Sequence, residues 1–246
     1  MHRKAILIIL GFIVPLFFGL TGCGYVENFF SQKQDLTASE LMEKGEEKLS
    51  KGYFGAASEA FQMVKDRYPY SRYAVTAELK MADALYQSGN YDDAFFAYDD
   101  FERLHPKNQH IPYVIYQKGM SYFQQITTYD RDQSYTQKAK EEFERLIKRF
   151  PRDNYANLAR KNLRKCLIYL AEYELYVGHF YFKMGAYRAA LDRFTYIIKN
   201  YPDMGQYHEA LEYMSKCKLK IAEMKKDEEE NKNSDVSFWK RINPFN

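Results

Sequence analysis

Four stretches of the chain repeat one order of apolar and small residues, with the period of an amphipathic helix. They align when counted from Phe54, Tyr91, Thr136 and Tyr187. Each has alanine three places on, an aromatic residue at seven, an apolar residue at ten and proline at fifteen: Ala57, Ala94, Ala139 and Ala190; Phe61, Tyr98, Phe143 and Phe194; Val64, Phe101, Leu146 and Ile197; Pro69, Pro106, Pro151 and Pro202. Offsets 0, 3, 7 and 10 share one helical face, and proline ends a helix or follows its end. The pattern predicts four equivalent helices.

A partner helix precedes each of these four. Twelve residues before the alanine lies a small residue, where two helices can approach closely: Gly45, Ala82 and Gly178. In the third unit the match is Gly119, twenty residues back, as though eight residues had been inserted. Small residues also stand two places before each start, at Gly52, Gly89, Ser134 and Gly185, and predict turns. This order of residues resembles the tetratricopeptide repeat, and it predicts an all-α superhelix of about five helical hairpins with a concave surface.

The predicted boundaries follow from the repeats. Residues 37–151 hold repeats 1–3, with Thr37 and Glu40 at the spacing of a capping box. Residues 152–226 hold repeats 4–5, starting with a long helix over Asn154–Met184 and ending with a helix over Tyr207–Lys226. Residues 227–246 are polar and of mixed charge, and we expect them to be disordered. A docking role and a passive role both remain open for Phe238–Phe245.

The N-terminal segment has the order of a secretory signal peptide, basic first, then apolar, then small. Its end, Leu20-Thr21-Gly22-Cys23, resembles the lipobox of bacterial lipoproteins. The resemblance implies cleavage of residues 1–22 and a diacylglyceryl thioether plus an N-acyl chain on Cys23, ahead of a tether over residues 23–36. An uncleaved anchor helix is the alternative. Gly24 follows Cys23 in place of the aspartate typical of lipoproteins kept in the inner membrane, which is consistent with the outer membrane.

Charge and cysteine content narrow the function classes. Removal of the signal takes away two basic side chains and no acid, leaving 34 basic and 33 acidic residues. That balance argues against nucleic acid as a partner, because such binding needs a basic face. For Cys166 and Cys217 we favour two buried free thiols, with a disulfide as the alternative.

Chemistry-bearing motifs are scarce. His105 and His110 lie near each other in a loop without further ligands, so ordinary turn residues are favoured over a metal site. The sequence has no phosphate-binding glycine loop, no nucleophile elbow and no His-Glu-x-x-His motif. We therefore expect neither catalytic residues, nor a metal, nor a cofactor other than the lipid on Cys23.

Several local motifs resemble one family beyond the repeats. They are Tyr68-Pro69-Tyr70-Ser71, His105-Pro106, Ile111-Pro112-Tyr113-Val114, the insertion Asp130-Arg131-Asp132-Gln133, Ala171-Glu172-Tyr173-Glu174 and Tyr201-Pro202-Asp203. Together with the lipobox they resemble the BamD (ComL) family, lipoproteins of the outer-membrane β-barrel assembly machinery. The resemblance implies a lipid-anchored protein on the periplasmic face of the outer membrane. It further implies binding to the periplasmic domains of BamA, contact with other Bam lipoproteins and help in recognising unfolded β-barrel precursors.

Candidate site residues fall into two sets. Arg193 stands beside Phe194 and should therefore face outward; by resemblance it faces the BamA partner, with a solvated charge as the alternative. The insertion residues Asp130, Arg131 and Asp132 either contact a partner or brace the insertion. On the first helices of the hairpins, aromatic and acidic residues are candidates for a substrate groove, with packing between repeats as the alternative; they are Tyr86, Tyr113, Tyr116, Phe123, Glu46 and Asp83.

Two rival functions share parts of this pattern. Another lipidated repeat protein, such as a pilotin-like subunit for pilus secretins or an adaptor of cell-wall enzymes, would have the same anchor and repeats. The insertion and the long helix separate it from the family above. An envelope hydrolase with an unrecognised active site is the second rival, and an activity screen would reveal it.

Overall fold

A computed structural model describes residues 36–202 and 204–242, with side chains up to residue 232. This part of the chain forms nine helices: α1 (Ala38–Ser50), α2 (Phe54–Arg67), α3 (Ala74–Gln87), α4 (Tyr91–Leu104), α5 (Ile111–Phe123), α6 (Ser134–Arg149), α7 (Asn154–Lys183), α8 (Tyr187–Asn200) and α9 (Tyr207–Ile242). Each helix packs against the next one in sequence. Helices α1–α8 form four hairpins, and α9 stands where the fifth unit was expected. The all-α tetratricopeptide prediction is confirmed.

Local signals set the helix ends. Thr37 Oγ1 accepts a hydrogen bond from the Glu40 backbone, and the Glu40 carboxylate accepts one from the Thr37 backbone at 2.7 Å, completing the predicted capping box. Turns at Gly52, Gly89 and Gly185 have φ of 76°, 83° and 76°, a left-handed conformation that glycine adopts without a steric penalty. In the third unit Ser134 instead opens α6, because Asp132 accepts hydrogen bonds from its backbone and hydroxyl.

The small residues predicted on the first helices lie against the aromatic residues of the second helices. A β carbon on Gly45 would lie less than 3.0 Å from three carbons of the Phe61 ring. On Gly178 it would lie 2.6 Å from the Phe194 ring. Since real β carbons do not come so close to another atom, glycine at these places permits the helix spacing. The same type of contact therefore recurs along the stack.

The core is divided into three clusters along the stack. The first joins α1–α3 around Phe61, the second joins α3–α7 around Tyr98 and Phe143, and the third joins α7–α9 around Phe194. Helix α7, of 30 residues, takes part in two of them. Its first half packs against the second cluster through Ala159 and Cys166, and its second half packs in the third cluster through Ala171. This helix therefore connects an N-terminal stack to a C-terminal one.

The C-terminal end differs from the sequence prediction. Disorder was expected from Asp227, but α9 continues to Ile242. Residues 223–232 are rich in lysine and glutamate, which are good helix formers despite their polarity. Ion pairs one turn apart, such as Lys226–Glu230 at 3.6 Å, add to this. Composition therefore did not predict the helical conformation of residues 227–242.

Two smaller expectations concern the thiols and the membrane. Cys166 and Cys217 are both buried and unpaired, so the free-thiol prediction is confirmed and the disulfide is not formed. Cys23, the signal peptide over residues 1–22 and nearly all of the tether lie outside the described residues. Within residues 36–202 and 204–242, no helix is long and apolar enough to span a bilayer.

Candidate protein-binding site

The first helices of the hairpins are linked by polar contacts that run from one to the next. Glu46 on α1 is exposed and forms an ion pair with Lys80 on α3 at 2.7 Å. One turn further along α3, Asp83 accepts a hydrogen bond from the Tyr113 hydroxyl on α5 at 2.6 Å. Gln117 in turn donates to the Tyr113 hydroxyl at 3.1 Å. Polar side-chain contacts thus form a continuous line across the face made by α1, α3 and α5.

Asp83 is the most constrained residue of this line. Its Oδ1 also accepts a hydrogen bond from the fully buried Tyr98 hydroxyl at 2.6 Å, besides the bond from Tyr113. Burial raises the pKa of Asp83, although the two hydroxyl donors and Lys80 act in the opposite direction. Burial is the main cause that raises the pKa of both tyrosines, and the negative charge of Asp83 raises it further. The carboxylate therefore holds two tyrosines from different helices.

The other predicted groove aromatics are half-buried and make specific contacts. Tyr86 accepts a hydrogen bond from Gln124 at 3.0 Å. Tyr116 accepts one from Asn162 of α7 at 3.2 Å, and its ring centroid lies 6.0 Å from that of Phe143. Phe123 packs edge to face with Phe143 at 6.1 Å.

The structure brings five of the six predicted residues together, with Asp83 joined to the aromatic residues through Tyr113, and leaves one apart. The aromatic rings of Tyr86, Tyr113, Tyr116 and Phe123 all pack against the second core cluster, as the packing alternative proposed. Glu46 lies on α1, and α3 stands between it and α5. It is linked to this group only through Lys80 and Asp83 of α3. Their role in binding a substrate stays a prediction, with partial exposure of the rings in its favour.

The insertion between α5 and α6 presents its charged residues to solvent. Asp130, Arg131 and Asp132 are exposed, and the Arg131 backbone N–H donates to the Thr128 carbonyl at 3.1 Å. A Thr128 hydrogen bond lowers the pKa of Asp130, and bonds from Ser134 lower that of Asp132. These contacts are all local to the insertion.

Two residues that were not among the predicted site residues, Tyr129 and Gln133, fix the insertion. The Tyr129 ring stands edge to face with Tyr176 of α7, with centroids 6.1 Å apart. Gln133 is buried and donates to the carbonyls of Thr128 and Arg131. The insertion is therefore held by uncharged residues, while its charged side chains stay exposed.

Arg193 lies on α8 and forms an ion pair with Glu174 of α7 at 3.1 Å. Its side chain is 42% exposed, whereas that of Glu174 is 13% exposed. The predicted outward position of Arg193 is therefore correct in part, because one side of its guanidinium group is paired with Glu174. A partner carboxylate could share this arginine from the solvent side.

A buried charge cluster joins units two and three, and sequence reasoning missed it. Lys118 of α5 is only 4% exposed and contacts the carboxylates of Asp99, Glu102 and Glu142. Arg145 forms a bidentate pair with Glu102 at 2.7 and 2.9 Å. The only available signal was a single lysine within the apolar helix that also bears Gly119.

His105 and His110 do not converge on a common point. His105 Nε2 lies 2.7 Å from the Glu78 carboxylate, and His110 Nε2 lies 3.4 Å from the Gln109 amide. Across the part of the chain that the structure describes, no group of three or more histidine, cysteine, aspartate or glutamate side chains is placed to hold a metal ion.

Stacked hairpins with a tyrosine-lined face define the class: a tetratricopeptide-repeat protein, a fold whose extended faces commonly bind other polypeptides. Residues 34–233 match the family model described as YfiO, outer membrane lipoprotein. The chain therefore belongs to this family of outer membrane lipoproteins.

Curated relatives of similar length share much of the chain. A protein of Neisseria meningitidis serogroup B is 29% identical over 211 residues, covering 80% of this chain and 79% of the relative. A protein of Rickettsia prowazekii is 33% identical over 163 residues, covering 66% and 65%. Both are named outer membrane protein assembly factor BamD. Among solved structures, the TPR2AB domain of yeast Sti1 aligns with a TM-score of 0.42 at 17% identity, covering 75% of this chain and 70% of the other.

Proposed function

We propose that this protein is a lipid-anchored scaffold of the β-barrel assembly machinery on the periplasmic face of the outer membrane. In this role it binds the periplasmic domains of BamA, works beside other Bam lipoproteins and helps to recognise unfolded barrel precursors. The observation that carries the proposal is the family match over residues 34–233, together with relatives named as assembly factors.

The anchor in this proposal is the acylated Cys23. Each buried methylene contributes about 0.8 kcal/mol, so three acyl chains hold a protein on a bilayer almost permanently. Cys23→Ala should release the protein from sedimented membranes. Unchanged sedimentation of the variant would count against lipidation.

The proposed BamA contact centres on Arg193 and the insertion. Arg193 is 42% exposed on α8 of unit four, and the insertion exposes its charges in unit three. An arginine that is paired with one carboxylate still has N–H donors for a second one. The fixed geometry of these donors gives the second contact a defined direction. The exposed Asp130, Arg131 and Asp132 would supply charges of both signs to the same partner.

Affinity purification from detergent-solubilised envelopes, followed by mass spectrometry, tests the scaffold function. We expect recovery of a barrel-forming protein with periplasmic modules. Arg193→Glu should reduce that recovery several-fold. Arg103→Glu is the matched control, because Arg103 also pairs with a carboxylate of its hairpin, Asp100, but lies in unit two. Equal recovery with both variants would remove Arg193 from the interface, and no recovery with the parent would overturn the scaffold function.

Precursor recognition is proposed for the face made by α1, α3 and α5. Partly exposed tyrosines beside hydrogen-bonding groups suit a chain that offers both apolar side chains and unpaired backbone. Tyr116→Ala and Phe123→Ala should weaken photo-crosslinking to an unfolded barrel precursor while circular dichroism stays unchanged. Crosslinking at the parental level in both variants would exclude this face.

A further inference from the structure

A groove runs along α7 on the side where the two repeat stacks meet. It consists of two adjoining cavities of about 640 and 290 Å³. Tyr129 and Glu172 line both cavities, so the two form one continuous groove. Ile168 and Tyr169 line the larger cavity, and Tyr176 lines the smaller one.

The length of α7 explains the groove. The first half of this helix packs in the second core cluster and the second half in the third, so the covering elements are displaced from each other along the helix. The insertion covers one end through Thr127, and the start of α9 reaches the other end through Glu209. Between them Ile168, Glu172 and Leu175 of α7 line the open groove.

Aromatic rings in the groove remain partly exposed. Tyr129 is 43% exposed and Tyr176 is 48% exposed, although they pack against each other. In the larger cavity, Phe123 and Tyr169 provide further ring surface. Aromatic rings with free faces are well suited to apolar anchors and to cations.

The charge of the groove selects the occupant. In the described part of the chain, the half-buried Glu172 carboxylate makes no hydrogen bond or ion pair, although it lines both cavities. At one end Glu209 adds a second carboxylate, paired with His179 at 2.9 Å. At the opposite end the Lys165 ammonium lies 5.8 Å from the Phe123 ring centroid. The middle of the groove is therefore acidic and lacks a cation.

We propose that the α7 groove binds an extended polypeptide segment that places a lysine or arginine at Glu172 between two aromatic or large apolar side chains. The residues lining the two cavities are displaced along α7 by about seven positions, or about 10 Å. Side chains two places apart on an extended segment are separated by about 7 Å and lie on the same side. A basic residue at Glu172 with an aromatic residue at each second neighbour therefore places one ring about 7 Å to either side of the carboxylate, within side-chain reach of the two cavities. The site goes beyond the proposed function and does not depend on which machinery the protein serves.

A fluorescein-labelled peptide with the core Phe-Ser-Lys-Ser-Phe, flanked by glycine and serine, tests the groove on the detergent-solubilised full chain. We expect saturable binding by fluorescence anisotropy and a loss of about fivefold or more in affinity for Glu172→Lys, since a charge-assisted contact is lost. The peptide Phe-Ser-Glu-Ser-Phe should show the reverse preference and bind the Glu172→Lys variant more tightly than the parent. Glu43→Lys, which changes an exposed acid of α1, is the matched control and should bind as the parent does.

Several outcomes would overturn the proposal. They are no binding of the lysine peptide, equal binding by parent and Glu172→Lys, or indifference of both proteins to the sign of the peptide charge. Self-association of the parent that disappears in Glu172→Lys would assign the groove to a second copy of the chain. BamA recovery is measured on the same variants, so failure of the groove and failure of the scaffold function are read separately.

Discussion

Gly119 on α5 lies against the ring of Phe143 on α6 so closely that a β carbon at position 119 would stand 2.6 Å from Phe143 Cε1. Phe143 is fully buried, and its ring also meets Tyr116 and Phe123. An added β carbon would therefore force the ring or the helix to shift. Gly119 thus allows Phe143 to pack against Tyr116 and Phe123, two of the candidate groove aromatics.

Gly119→Ala should destabilise the protein by about 1–3 kcal/mol, the usual cost of overpacking a filled core. Gly55→Ala is the matched control, because Gly55 lies in helix α2 and a β carbon there would have nothing within 4 Å. Alanine at that position should be neutral or stabilising by up to about 1 kcal/mol, from its higher helix propensity. Urea unfolding measures both, and equal midpoints would contradict the close contact.

Asp83 should make stability depend on pH with a definite sign. Burial raises its pKa above the ordinary 3.8, so the folded state takes up a proton at higher pH than the unfolded state does. The stability from this proton is fully present below about pH 3.8 and is lost as pH rises through the raised pKa.

Asp83→Asn keeps an oxygen acceptor for Tyr98 and Tyr113 but cannot ionise. The free energy of unfolding of this variant, relative to the parent, should therefore increase between pH 4 and pH 7, by about 1.4 kcal/mol per unit of pKa difference. Chemical denaturation at several pH values measures it. Glu43→Gln, at an exposed carboxylate, serves as the control, and parallel profiles for parent and Asp83→Asn would refute the claim.

The buried cluster around Lys118 should be sensitive to loss of its cation. Lys118→Ala removes the buried ammonium from the carboxylates of Asp99, Glu102 and Glu142. Because Arg145 still pairs with both glutamates, we expect a loss of about 1–3 kcal/mol. Lys140→Ala on α6 removes an i,i+4 pair with Glu144 and should cost under about 1 kcal/mol. Similar losses for the two variants would show that the cluster is not an energetic link between units two and three.

Glu102 gives this cluster its own pH dependence. Burial opposes ionisation, but Arg145 and Lys118 outweigh it and hold the pKa of Glu102 below its ordinary 4.5. The stability from the charged form is present above about pH 4.5 and is lost as pH falls through the lowered pKa. Glu102→Gln should therefore destabilise the protein clearly at pH 7 and less at pH 3, by urea unfolding. A loss that is the same at both pH values would show that the charge of Glu102 is not the cause.

The helices were predictable from the sequence because each one repeats a local rule. The capping box at Thr37, the turn glycines and the glycine–phenylalanine spacing all act within one hairpin, so spacing alone locates them. The cluster around Lys118 and the pair Tyr129–Tyr176 join residues 16 to 47 positions apart. The spacing of residues along the chain does not specify how such distant elements are placed relative to each other. The C-terminal extension was missed for a different reason, since lysine and glutamate favour both solvent and helix.

The two thiols should be unreactive in the folded protein. Burial raises the pKa of Cys166 to about 12 and also raises that of Cys217, so hardly any thiolate is present at neutral pH. A disulfide reagent at pH 8 should label neither residue at an appreciable rate, whereas both should react fully in urea. Cys166→Ala and Cys217→Ala assign the signals to single residues. Fast labelling of the folded chain at either position would mean that the helix packing around it opens readily, and it would place that part of the α6–α9 stack among the least stable in the molecule.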